Sequence, residues 1–106
     1  MCKKILYLTL KKPQFQVTVS GEKKSEFRRP SKWILSRVLN KQYDFVKFTN
    51  GYGSDKPSFR CEFKGWKYAE PKRYVYSNGL VVNTDSNYIE IVLGCILEVE
   101  NYKNEI

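Results

Sequence analysis

The sequence has no histidine, and this absence removes several kinds of chemistry. Catalytic arrangements in which histidine is the general base, such as Ser-His-Asp and Cys-His, are excluded, and so are zinc sites built on imidazole. Any catalysis would depend on Lys, Glu, Asp, Tyr or Arg, and a Lys acts as a base only where burial or nearby charge lowers its pKa. We expect neither a metal nor a cofactor.

Cysteine is scarce as well, and long apolar runs are missing. The three cysteines include no Cys-x-x-Cys pair and come with no secretory signal, which argues against a disulfide framework. We interpret Cys61 and Cys95 as small apolar residues in strands, and we expect three free thiols in a reducing cytoplasm. The longest apolar run, residues 89–97, is interrupted by Glu90 and is too short to span a bilayer.

Length and charge limit the remaining classes. A chain of 106 residues predicts a single compact domain. Lys and Arg outnumber Asp and Glu by 19 to 11, and the net charge of +8 favours a polyanionic partner such as RNA or a nucleotide. Many small basic proteins bind nothing in particular, and a module that docks on an acidic protein also fits this charge, although no residue pattern supports it.

The pattern of apolar residues predicts a chain made mainly of strands. Asn78-Gly79, with β-rich residues on both sides, predicts a hairpin. Ser31 is a good helix cap, and helical spacing after it predicts a helix over residues 31–39. Residues 101–106 are polar and are expected to form a frayed tail. The longer predicted strands cover residues 5–10, 43–49, 58–66 and 88–99.

The segment just before Gly21 fits two structures. Phe15, Val17 and Val19 alternate with polar residues, which favours a strand. Pro13 suits the first turn of a helix and Gly21 suits the position after a helix end, so a short helix is also open. With either choice the fold class is α+β and mainly β, as a small twisted sheet or a partly closed barrel.

Positive charge is concentrated between residues 20 and 37, which read SGEKKSEFRRPSKWILSR. Glu26 lies among these cations and can pair with Arg28 or accept hydrogen bonds from a base edge. The alternative is a solvated basic edge with a surface ion pair worth well under about 1 kcal/mol. The cations are Lys23, Lys24, Arg28, Arg29, Lys32 and Arg37.

Within this segment, Gly21-x-Lys23-x-x-Glu26-x-Arg28 has all four residues of the Gly-x-Lys-x-x-Glu-x-Arg signature by which ASCH domains are recognised. The chain therefore resembles a small stand-alone ASCH domain. The resemblance implies a PUA-like small β-barrel with two or three short helices, and it favours the helix before Gly21. It also implies a cleft between the barrel and the first helices that binds RNA or a nucleotide.

The resemblance also implies roles for individual residues. Lys23, in the turn after Gly21, would face the ligand, while Glu26 holds Arg28 against a phosphate or carbonyl. Arg29 is a further candidate for ligand binding. Some stand-alone members resemble amidohydrolases acting on acylated cytidine, and others are linked to RNA cleavage; in such an enzyme Lys23 and Glu26 would be catalytic. Glu26 stands where we expect a hydroxyl residue in those amidohydrolases, which weakens the enzymatic alternative.

A second candidate region is the loop that follows residue 49. Gly51 lets the backbone approach a ligand closely, Asn50 can read a base edge and Tyr52 can stack on a base. The alternative is an ordinary tight turn. Of the two tryptophans, Trp33 is expected in the core, whereas Trp66 lies on the charged face of its strand and could stack on a base.

Overall fold

Seven strands and two helices make up the part of the chain that the structure describes, residues 4–51 and 55–102. The structure is a computed structural model. It confirms the predicted α+β class with strands in the majority. The elements are β1 Ile5–Thr9, α1 Lys12–Val19, β2 Ser25–Arg28, α2 Lys32–Val38, β3 Phe45–Thr49, β4 Ser58–Tyr68, β5 Lys72–Val75, β6 Val81–Thr84 and β7 Ile89–Glu100.

Five of the strands form a sheet that curls into a half barrel, in the order β1-β3-β4-β7-β2. β1 and β3 are parallel, and the other neighbours are antiparallel. The long strands β4 and β7 shift register three times between Phe59 and Trp66, and such irregularities increase the local twist and bend of a sheet. The curl leaves β1 and β2 as the two edges of the half barrel.

Both helices are joined to the sheet by one hydrophobic core. α1 contributes Phe15, and α2 contributes Ile34 and Val38. Burying a side chain of this size contributes about 1.5–3 kcal/mol. The other core residues come from the sheet and its ends: Leu6, Leu8, Leu10, Val46, Phe48, Phe59, Cys61, Ile89, Ile91 and Leu93.

α1 resolves the ambiguous segment before Gly21 in favour of the helix. Pro13 lies in its first turn, and Gly21 follows its end with a φ of +86°. Phe15 and Val17 are both buried, although residues two apart point about 200° apart around a helix. Thr18 is buried as well, so α1 is covered on more than one side, and its apolar residues need not follow the spacing of a single helix face.

The predicted hairpin is present, with its turn at Asn78 and Gly79 between β5 and β6. Its tip docks on α1 and on the turn that follows. The Glu22 carboxylate accepts hydrogen bonds from the Ser77 backbone N–H at 2.8 Å and from the Ser77 hydroxyl at 2.7 Å. The side-chain amide of Asn78 donates to the Pro13 carbonyl at 3.0 Å.

α2 begins as predicted, because the Ser31 hydroxyl accepts a hydrogen bond from the Ile34 backbone N–H at 3.2 Å. Its buried face consists of Ile34 and Val38. Trp33 is 48 % exposed, so the prediction that it lies in the core is wrong. The two apolar residues already fill the inner face of a helix only two turns long.

Two other predictions concern the cysteines and the C-terminal tail. Cys61 and Cys95 lie in strands as free thiols, as predicted, with Cys61 buried in the core and Cys95 exposed on β7; Cys2 lies outside the described residues. Tyr102 is half-buried and packs against Phe15, with ring centroids 5.3 Å apart, so the expected frayed tail does not include it. Residues 103–106 lie outside the described residues. No helix between residues 4 and 102, as far as they are described, is long and apolar enough to cross a membrane.

Candidate ligand-binding cleft

The turn after α1 brings Lys23 into a buried position beside β2. Gly21 allows the turn, and the Lys23 backbone N–H donates to the Val17 carbonyl at 2.9 Å. Lys23 precedes β2, so the alternation of side chains along a strand does not place it opposite Glu26. Its ammonium Nζ lies 2.5 Å from Glu26 Oε1.

Glu26 binds two cations at once. Its Oε1 accepts from Lys23, and its Oε2 accepts from Arg28 Nε at 2.8 Å. The side chains of Lys23 and Glu26 are only 1 % and 5 % exposed. Charges so far from water are tolerated when they are paired and hydrogen-bonded, and this carboxylate satisfies both conditions.

Arg28 connects the two edges of the half barrel. It ends β2, and its Nη2 donates to the carbonyl of Thr9, which ends β1, at 2.8 Å. The guanidinium is therefore fixed on one side by Glu26 and on another by the backbone of the opposite edge. Its side chain is still 26 % exposed and lines a cleft.

We call this space the Arg28 cleft. It has a volume of about 550 Å³, within the usual range of small-molecule sites. Tyr7 and Trp33 stand in it 63 % and 48 % exposed, and Gly51 contributes backbone with a φ of +94°. The remaining lining residues are Leu8, Thr9 and Thr49. Two accessible aromatic rings beside an immobilised guanidinium can stack bases and bind a phosphate or a carbonyl.

A larger cleft of about 1150 Å³, the α1 cleft, lies beside the first one. Its walls are α1, the tip of the β5–β6 hairpin and the ring of Tyr102. Asn50 lines this cleft, whereas its neighbour Gly51 lines the Arg28 cleft. The loop after β3 therefore contributes to both.

The three charged signature residues thus come together, but they do not share one role. Only Arg28 lines a cleft; Lys23 and Glu26 line neither cleft and bind each other. The expectation that Lys23 faces the ligand is not met in this geometry. Arg29 is exposed and lines neither cleft, and its guanidinium lies 5.6 Å from the ring centroid of Tyr88. Tyr52 lies outside the described residues.

Tyr7 and Trp33 were missed by the sequence reasoning, although both leave a signal. Tyr7 alternates with the buried Leu6 and Leu8, so it must face away from the core. Trp33 directly precedes Ile34 and therefore lies about 100° away from the buried face of α2. Trp66, which was a candidate for stacking, is half-buried against the core and does not line the Arg28 cleft.

The thiol inside the sheet is not available for chemistry. Burial, followed by the nearby Glu62 carboxylate, raises the pKa of Cys61 to about 12. A thiol with this pKa stays protonated at neutral pH and is a poor nucleophile. The described residues contain no group of three or more metal-binding side chains.

Comparison with protein-family models, with curated proteins and with solved structures finds no match for this chain. The resemblance of residues 21–28 to the ASCH signature therefore stays a prediction. The case for a function depends on the residues of the two clefts.

Proposed function

We propose that this chain is an RNA- or nucleotide-binding protein of the ASCH type, a PUA-like small barrel that holds its ligand in the Arg28 cleft. One observation carries the proposal. The guanidinium of Arg28, held by Glu26 and by the Thr9 carbonyl, lines a cleft together with the exposed rings of Tyr7 and Trp33.

Each part of the cleft supplies one interaction that a nucleotide needs. Stacking of a base on an aromatic ring is worth about 1–3 kcal/mol, and every base can make it. The planar guanidinium of Arg28 suits a phosphate or a base carbonyl, and its fixed position reduces the entropy lost on binding. The net charge of +8 adds a general attraction for polyanions.

In this proposal Lys23 and Glu26 support the site and do not contact the ligand. Lys23 is almost fully buried, and its ammonium is bonded to Glu26. Glu26 in turn fixes Arg28 through its second oxygen. The signature would then be a device for holding one arginine at the junction of two sheet edges.

Fluorescence-anisotropy titration with short single-stranded and structured RNAs, at two salt concentrations, tests the proposal. Trp33→Ala is expected to weaken binding by about 1–3 kcal/mol, the value of one stacked base. Tyr68→Ala is the matched control, because Tyr68 is an exposed aromatic residue outside both clefts. Absence of binding at low salt, binding that does not depend on salt, or equal losses in the two variants would count against the proposal.

The alternative is a hydrolase that acts on an acylated cytidine, or a ribonuclease, with Lys23 and Glu26 as catalytic groups. It requires Lys23 to reach the substrate, whereas its Nζ is buried and bonded to Glu26. The geometry therefore favours binding over hydrolysis. Chromatography of acylated cytidines and short RNAs after incubation tests this point: turnover that disappears in a Lys23→Ala variant shown by thermal melting to be folded would establish the hydrolase, and absence of turnover in the unmodified protein would remove it.

A further inference from the structure

Neighbouring residues line the two clefts at a seam where β1 and β3 end: Thr49 and Gly51 line the Arg28 cleft, and Asn50 lines the α1 cleft. There the Leu10 backbone N–H donates to the Thr49 carbonyl at 2.9 Å. Thr9 lines the Arg28 cleft and Lys12 lines the α1 cleft, and three residues of chain span at most about 11 Å. Lining residues of the two clefts are therefore close to each other at this seam.

The α1 cleft presents polar groups that the protein leaves open. Among the residues that the structure describes, no carboxylate forms an ion pair with the ammonium of Lys12. Within the same residues, the side-chain amide of Asn50 forms no hydrogen bond. Gln16 accepts from Asn78 through its oxygen, and within the same described residues its amide nitrogen donates to none. In contrast, the Glu22 carboxylate already accepts two hydrogen bonds from the hairpin, and it forms part of the cleft wall.

The chemistry of these open groups differs from that of the Arg28 cleft. One ammonium and two amides can bind a phosphate and read the edges of a base or the hydroxyls of a ribose. The half-buried ring of Tyr102 adds an apolar surface beside them. The Arg28 cleft has a volume of about 550 Å³ and the α1 cleft has a volume of about 1150 Å³. Their combined volume exceeds that of a site for a single drug-sized ligand.

We propose that the α1 cleft is a second nucleotide subsite, and that the ligand is a single strand of RNA at least two nucleotides long. The strand runs from the Arg28 cleft over the Leu10–Thr49 seam into the α1 cleft. There Lys12 binds a phosphate, while Asn50 and Gln16 contact the base or the ribose. This inference depends on the proposed function, because it extends the same ligand beyond the Arg28 cleft.

Affinity measured against ligand length tests the inference. Isothermal titration calorimetry with a nucleoside monophosphate, a dinucleotide and a tetranucleotide should show affinity that rises with length. Lys12→Gln should weaken tetranucleotide binding about two- to fivefold, the contribution of an exposed charge pair, and leave monophosphate binding unchanged. The slope of log K against log salt for the tetranucleotide should fall in magnitude by about 0.7, one phosphate contact on a single strand.

Two further variants keep the test independent of folding. Asn50→Asp preserves the size of the side chain but adds a negative charge to the α1 cleft. It should therefore weaken binding of the tetranucleotide and leave binding of the monophosphate unchanged. Lys64→Gln removes a cation that lines neither cleft. The affinity for both ligands and the salt slope should therefore equal those of the unmodified protein.

Three outcomes would decide against the second subsite. Equal affinity for monophosphate and tetranucleotide would overturn it, and so would equal effects of Lys12→Gln on every length or equal effects of Lys12→Gln and Lys64→Gln. In each of these cases the proposed function stands, since the Arg28 cleft still binds. If no RNA and no nucleotide bind at low salt, the proposed function fails together with the inference.

Discussion

Glu26→Gln removes the one negative charge that lies between Lys23 and Arg28. Lys23 and Glu26 are almost fully buried, so water cannot replace the lost partner of the ammonium. Removing one member of a buried pair costs about 3–5 kcal/mol, because the other charge stays in the interior uncompensated. Loss of the ion pair with Arg28 adds less to this cost, because the Arg28 side chain is 26 % exposed and water can still reach its charge. Since domains are stable by only about 5–15 kcal/mol, the variant should lose a large part of its stability.

Urea denaturation followed by tryptophan fluorescence measures this loss, and the thermal midpoint should fall by about 12 °C or more. Glu98→Gln is the matched control: Glu98 accepts from Arg60 Nη2 at 2.7 Å but is 65 % exposed, so its loss should cost less than about 1 kcal/mol. The double variant Lys23→Met/Glu26→Gln removes both buried charges and should recover much of the lost stability.

The reasoning would be refuted if Glu26→Gln and Glu98→Gln cost the same, for then the pair behaves as a surface ion pair. Additive losses in the double variant would refute it as well, because they would mean that Lys23 and Glu26 are not coupled.

Three further predictions concern the cleft, the core thiol and the second helix. Arg28→Ala should weaken RNA binding by about 1.5–3 kcal/mol, the size of a lost charged hydrogen bond, while Lys64→Ala should change it little; anisotropy titrations of both variants check this, with thermal melts because Arg28 also holds the Thr9 carbonyl. Burial raises the pKa of Cys61 from 9.0 to about 12, so its contribution to stability is complete below pH 9 and is lost as the pH rises towards 12. The unfolding free energy should therefore fall by up to about 1.4 kcal/mol per pH unit in that window, and an equally steep fall between pH 9 and 10 in Cys61→Ala would contradict the assignment. Ser31→Ala should lower the unfolding free energy by about 1 kcal/mol through loss of the helix cap, and an unchanged urea midpoint would argue against that cap.

Much of the fold could be predicted because local signals and tertiary contacts agree. Asn78-Gly79 marked its hairpin, and the cap at Ser31 marked the start of α2. The segment with Phe15 and Val17 was ambiguous because the hairpin and the sheet cover α1 on two sides. A pattern of buried residues reports where neighbours lie, and those neighbours are distant in sequence.

The candidate site could be predicted only in part, for a similar reason. The sequence brings Lys23, Glu26 and Arg28 close along the chain, and the turn at Gly21 makes them converge. It does not reveal that Arg28 reaches the far edge of the sheet, since that depends on how strongly five strands curl. The aromatic walls of the cleft come from β1 and α2, and so they become neighbours only when the half barrel forms.

The most direct test of the central claim is an NMR titration of ¹⁵N-labelled protein with a short single-stranded RNA. The chain has two indole N–H groups, and Trp66→Phe assigns the one that belongs to Trp33. Binding in the Arg28 cleft predicts that the Trp33 indole and the Gly51 amide shift together, with the same dissociation constant, while the Trp66 indole stays in place. Equal shifts of both indoles, or shifts confined to basic residues outside the cleft, would contradict the account.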